Sequence, residues 1–323
     1  PILLGCSYNE TTGFTKVTFK TNHFSDFEIL ENKMSVSDEA GLDKALLAGI
    51  TNIDVYSKIT LSDRGTLNLK GATLTTIIEE PTIAILYDIE ITNGTIINKE
   101  GDRVINVDGN GEYNGIDVVL RNVNVVGPTS GTYTRGISFY NTSGSSLTAD
   151  NCTFSCNYYA INVAGSCPDF KLNMTNSTIS GWCAYQTWSE NTDATFTDCT
   201  LVGTNDKGYN EEGWNNFATI VFNTSSNSTK LTLDNCTIKA IAKPDEKKEN
   251  GYNTQYYMSI RSSEAVIYVN NCVLFCENED GENWYYELKD EDTKNAVKNN
   301  INVYPQASDV IIEIDGKLMG ISS

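Results

Sequence analysis

A unit of seven to eight residues recurs eight times along the chain, and it limits the possible folds more than any other feature. The copies read LNLKGATL, IEITNGTI, VVLRNVNV, LTADNCTF, LNMTNSTI, ATFTDCTL, LTLDNCTI and IYVNNCVL. They align on Gly71, Asn93, Asn122, Asn151, Asn176, Asp198, Asn235 and Asn271. Four and two residues before that anchor, and three after it, all 24 positions are apolar (Leu67, Leu69 and Leu74 in the first copy, Ile267, Val269 and Leu274 in the last). A chain that is 40% hydrophobic would supply about ten by chance.

The chemistry of the unit is that of a bent strand. Apolar and polar residues alternate before the anchor, so one face of a short strand is buried. The anchor is always Asn, Asp or Gly, the residues that enter the left-handed backbone region at least cost. An apolar residue three positions later starts a second inward-facing strand. Strand, one-residue corner, strand is the tight bend of a parallel solenoid. There Asn93, Asn122, Asn151, Asn176, Asp198, Asn235 and Asn271 are expected to stack as a ladder through their side chains.

The N-x-[ST]-apolar turn and the minimum spacing of 22 residues between anchors resemble the pectate lyase-like right-handed parallel β-helix superfamily over residues 50–275. The resemblance implies an all-β fold, a right-handed three-sheet parallel β-helix, and leaves function open. Third strands are expected at 104–107, 136–139, 160–163, 183–188, 217–222 and 258–261, with the longest insertions at 203–216 and 240–257. Residues 51–276 are assigned to the β-helix. Residues 33–50 are assigned to a short capping helix, with Ser35 or Ser37 as N-cap, Gly49 as stop, and Leu42, Ala45 and Leu46 on its buried face. Residues 277–323 form a C-terminal cap with a hairpin at Asp315-Gly316. Residues 1–32 read as edge strands of a preceding domain. Their His23-Phe-Ser run is similar to the strand that ends domains in large bacterial surface proteins.

A net charge of −19 excludes a phosphate backbone as the natural partner and disfavours an acidic polymer or an anionic membrane surface. No stretch has the length and apolarity of a membrane-spanning helix. Cys152, Cys199, Cys236 and Cys272 share the position after the anchor, and Cys156 and Cys276 share the fifth. They are expected as a buried stack of free thiols. His23 is the single histidine and no CxxC occurs, so no metal site is expected. The run Asn106-Val-Asp108-Gly-Asn110-Gly, with Asp117 beyond, resembles a calcium loop whose first ligand is Asn; a Gly-rich turn is the preferred reading, with calcium near Asp108 and Asn110 the alternative.

Enzymes of the resembled superfamily cut or eliminate uronate polymers with clustered carboxylates, or calcium, and a basic residue. The outward residues of the third strands read Asn106, Asp108, Ser138, Tyr140, Ala160, Asn162, Ser259 and Arg261, mostly small and neutral. Of the polygalacturonase motifs, only Asn191-Thr192-Asp193 is present. Tyr140, Tyr158, Tyr159, Trp182, Trp188 and Trp214 are candidates for a sugar-stacking platform. The sequence therefore points to a monomeric, extracellular, non-catalytic cell-surface module, adhesin-like or glycan-binding, with a carbohydrate or host-surface ligand. A divergent polysaccharide lyase and a structural stalk are the alternatives.

Overall fold

The computed structural model describes residues 2–9, 14–20, 32–128, 133–204, 218–223, 228–241, 256–277, 283–287, 301–303 and 309–319. Strands predominate, one helix is present among these residues, and the pairing is overwhelmingly parallel. This arrangement is consistent with a β-helix, or solenoid.

Parallel pairing runs in three columns. The strand before each anchor pairs with its counterpart one repeat away, as Ser146–Asp150 does with Lys171–Thr175 and that with Thr192–Thr197. The strand after the anchor does the same, from Thr153–Ser155 to Thr178–Gly181 to Thr200–Gly203. In Ile89–Asn98 and Asp117–Val126 the two strands are continuous through the corner. The third column runs Ile59–Thr60, Ile83–Ile85, Arg103–Asp108, Arg135–Tyr140, Tyr159–Val163, Cys183–Thr187, Ala218–Phe222, Tyr256–Ile260 and Ile301–Val303. It contains all six expected third strands.

All 24 repeat positions that the sequence marks as apolar are buried in one continuous core. All eight anchors hold φ between 50° and 81°. Seven of the eight corners are therefore made by a single left-handed residue, as the Asn/Asp/Gly pattern requires, while at the first Lys70, with φ 53°, precedes Gly71 in the same region. The amide ladder is real over Asn93, Asn122 and Asn151. Asn122 Nδ2 donates to Asn93 Oδ1 at 3.0 Å, and Asn151 Nδ2 donates to Asn122 Oδ1 at 2.7 Å. It is then interrupted, against expectation. Asn176 donates instead to Asp150 at 2.9 Å, and Asp198, a carboxylate with no donor, only accepts, from Asn235.

The small residue after the anchor has its own logic. Ser177 Oγ donates to the Thr175 carbonyl at 2.7 Å, and Cys199 Sγ to the Thr197 carbonyl at 3.2 Å. Cys152, Cys236 and Cys272 make the same bond two residues back. A short side chain with one weak donor thus serves a carbonyl at the bend. Burial raises the thiol pKa of Cys152, while a hydrogen bond with Cys236, followed by burial, raises that of Cys199 and Cys272. The seven cysteines with described side chains are unpaired and buried. Cys276 Sγ lies outside the described side chains.

Three boundaries differ from the sequence reading. Residues Lys33–Val36 are a strand, paired in parallel with Asn52–Val55, because Met34 and Val36 alternate with polar residues. The helix α1 spans Glu39–Leu47, buries Leu42, Ala45 and Leu46, and is capped by Asp38, whose Oδ1 accepts from Gly41 N–H at 2.7 Å. Neither Ser35 nor Ser37 is the cap. At the other end the parallel pairing does not stop at 276. Asp309–Ile314 pairs in parallel with Glu264–Asn270 before turning at Asp315-Gly316 into the expected hairpin. Asp315 also repeats the anchor chemistry, with φ 48° and its Oδ1 accepting from Asn271 N–H at 2.8 Å. Within 1–32, Ile2–Asn9 and Phe14–Lys20 form an antiparallel pair in a sheet of their own.

Candidate functional site

The most unusual chemistry lies on the outside of the third column. Pairing places Ile105, Ile137, Ile161, Tyr185 and Ile220 in one inward row. Period-two alternation then puts Asn106, Ser138, Asn162, Gln186, Val221 and Ser259 in one row on the opposite face. The register agrees with the expected Asn106, Ser138, Asn162 and Ser259 and adds Gln186 and Val221 between them. The row is not an open surface: Ser138, Asn162, Gln186, Val221 and Ser259 are buried, as is Ala160.

This buried row is polar and only partly satisfied. Tyr140 Oη donates to Asn162 Oδ1 at 3.2 Å, and Asn162 Nδ2 donates to Gln186 Oε1 at 2.9 Å. Asn106 Oδ1, Ser138 Oγ and Gln186 Nε2 are buried without a hydrogen-bond partner. Such groups carry a desolvation cost of about 1–3 kcal/mol each and are rare in native proteins.

Two arginines occupy one edge of this face. Arg103 and Arg135 are register partners on adjacent strands. Arg103 pairs with Asp102 and lies over the Tyr140 ring, 4.7 Å from its centroid. Burial opposes its charge, but hydrogen bonding with Tyr140 and the nearby Asp102 outweigh that, and its pKa is raised. Arg135 lies over Tyr158 at 5.2 Å and Tyr159 at 5.9 Å. Arg64, Arg103 and Arg121 each hold a carboxylate, whereas Arg135 forms no ion pair among the described residues; the Nε atoms of Arg103 and Arg135 are both buried and unpartnered.

The aromatic candidates divide by position. Tyr158, Tyr159 and Trp182 form an apolar cluster of their own, with Cys183, Ala218 and Val221, separate from the main core. Tyr158 stacks on Tyr159 at 3.8 Å between centroids and on Trp182 at 5.4 Å. Tyr133, 56% exposed, meets Tyr158 edge-on at 5.0 Å. Tyr140 and Trp188 sit at the opposite ends of their strands and do not join the cluster. Trp214 lies outside the described residues, as do most of insertions 203–216 and 240–257.

Sequence reasoning missed Arg103 and Arg135. Both stand at the first position of a third-column strand, where the apolar pattern has not yet begun. The available signal was the matched spacing Arg103-x-Ile105-x-Val107 and Arg135-x-Ile137-x-Phe139. Asp108 is occupied locally. Its Oδ1 accepts from Asn110 N–H at 2.9 Å and from Asn141 Nδ2 at 3.0 Å, a turn-stabilising role. Among the described residues no three His, Cys, Asp or Glu side chains group as a metal-binding set, and no helix is long and apolar enough to cross a membrane.

No protein-family model and no curated protein matches this sequence. A solved structure described as Geobacillus virus E2 ORF18 aligns over 87% of this chain and 69% of its own, at 8% identity and a TM-score of 0.36. A likeness that low carries no argument about fold or function.

Proposed function

We propose that the chain is a glycan-binding module of an extracellular, adhesin-like surface protein, built on a right-handed, three-sheet parallel β-helix. The observation that carries this reading is the aromatic cluster of Tyr158, Tyr159 and Trp182, held outside the main core with Tyr133 exposed at its margin. Apolar side chains of a solenoid normally face inward. Tyr159 and Trp182 are themselves buried, so the aromatic surface open to a ligand is that of the half-buried Tyr158 and the exposed Tyr133, which suits the apolar face of a sugar ring. The acidic surface agrees with a secreted protein that avoids nucleic acid and anionic membranes. On this proposal the module is a monomer that requires no cofactor and performs no chemistry on its ligand.

The test is a glycan array on the purified chain, run beside an absorbance assay for unsaturated uronates. Binding without turnover is the expected result. Turnover abolished by a chelator supports a polysaccharide lyase instead, and neither binding nor turnover supports a structural stalk.

A further inference from the structure

We infer that Arg135 is the anchor for an anionic substituent, a carboxylate or a sulfate ester, on the sugar bound at the Tyr158 cluster. This inference rests on the glycan-binding reading and names the class of sugar.

The starting point is an imbalance. The chain carries 42 acidic side chains and only 23 Lys and Arg, so an arginine without a carboxylate is the exception. Arg121 reaches Glu90 at 2.8 Å, and Arg64 reaches Glu39 and Asp43 at 3.0 and 2.9 Å. Arg135 instead lays its guanidinium against two tyrosine rings. A contact between a guanidinium and aromatic rings satisfies none of its N–H donors, which stay available to an acceptor. Nε is buried with no acceptor. A guanidinium matches the paired oxygens of a carboxylate or sulfate, and the two terminal nitrogens of Arg135, which unlike Nε are not buried without a partner, can offer two parallel N–H···O bonds.

The neighbours favour the same ligand. Arg103 is the register partner of Arg135, and its charge is balanced by Asp102. The immediate set of Arg103, Asp102 and Arg135 is therefore net positive by one, although the whole chain is strongly negative. Carboxylates farther away than the screening length of about 8 Å at physiological salt weigh little against that local charge. Tyr158, stacked with Trp182 and half-buried, sets an apolar ring surface directly beside the cation. One anionic group and one ring face, side by side, describe an acidic sugar better than a neutral sugar or an inorganic anion.

The experiment follows the arginine Nε–H resonances of the full chain by NMR, with the Arg135 signal identified by its loss in R135K. The probes are methyl glucuronide, glucose 6-sulfate, methyl glucoside and inorganic sulfate. The expected result is a saturable shift of the Arg135 signal with at least one of the two acidic sugars. Affinity should be about tenfold or more above that for methyl glucoside, weaken with added salt, and fall by a similar factor in R135Q. R135K keeps the charge without the fork and should recover only part of the binding. A response to methyl glucoside equal to that of both acidic sugars, or unchanged by R135Q, overturns the inference and leaves the glycan reading standing. A shift with sulfate that neither sugar exceeds removes both. Absence of any Arg135 shift with the acidic sugars also overturns the inference. Agreement of the R135Q and wild-type spectra away from the site separates loss of binding from loss of fold.

Discussion

Replacing Asn122 tests the corner geometry with a change of sign, which is stricter than a change of size. Asn122 has φ 54°, donates to Asn93 at 3.0 Å and accepts from Asn151 at 2.7 Å. Both N122A and N122G remove these two exposed bonds, at a net loss of about 1–2 kcal/mol. N122A additionally places a Cβ in the left-handed region, a cost of about 1–2 kcal/mol. The greater freedom of unfolded Gly offsets about 0.5–1 kcal/mol of Gly's advantage. N122G is therefore expected to be more stable than N122A by about 0.5–1 kcal/mol. At Thr148, in the middle of the extended strand Ser146–Asp150, the order reverses, because Gly brings only its entropy cost and no relief. The assay is urea unfolding with shared m-values for the four variants. Alanine equal to or better than glycine at Asn122, or the same order at both sites, refutes the one-residue left-handed corner.

Three further outcomes follow from particular residues. A Cβ on Gly94 would meet Leu69 Cβ at 2.5 Å and the Ala72 carbonyl oxygen at 2.8 Å, so G94A is expected to lose about 1–3 kcal/mol by overpacking, read by thermal and urea melts. D38A removes the N-cap of α1 and should cost about 1 kcal/mol, with the loss seen as faster amide exchange in residues 39–42. Burial pushes the Cys156 thiol up to about 12, above its unfolded value near 8.5. Its contribution to stability is then fully present below the unfolded value and is lost as pH rises toward the folded one, by about 1.4 kcal/mol per pH unit in that window. Urea melts between those limits should show a smaller decline for C156A than for wild type.

How much of this was legible in the sequence depended on whether the physics was local. The core positions and the left-handed anchors were, because alternation and a residue's tolerance of positive φ are properties of a few consecutive residues. The ladder holds over Asn93, Asn122 and Asn151, but residue identity alone does not carry it further, since Asn176 follows Asn151 and still leaves it. At Asp198 the same backbone corner persists, but a carboxylate cannot donate, and Asn176 turns to Asp150. The capping helix was visible in Leu42, Ala45 and Leu46, while its start was misplaced because serine and aspartate are near-equal caps and only geometry separates Ser37 from Asp38. The continuation of the parallel pairing at Asp309–Ile314 was hidden by the long segment separating it from Val273–Glu277, which removes the spacing cue.

The site was harder to read for a different reason. Tyr158, Tyr159 and Trp182 were found as aromatics, but nothing in their sequence order distinguishes them from Tyr140 and Trp188, which lie at the far ends of their strands. The division comes from pairing register between strands more than 20 residues apart. The stacking of Arg135 on Tyr158 has the same origin, and so has the burial of an outward row that reads as solvent-facing in the sequence.

One comparison bears on the proposed sugar-binding face at the Tyr158 cluster. Wild type and Y158A, matched for fold by circular dichroism, are titrated by calorimetry with the strongest glycan from the array. Y158A is expected to lower affinity about tenfold or more while leaving the fold unchanged, since loss of a stacked ring removes contact that the sugar cannot replace. Equal affinity for the two proteins would contradict it.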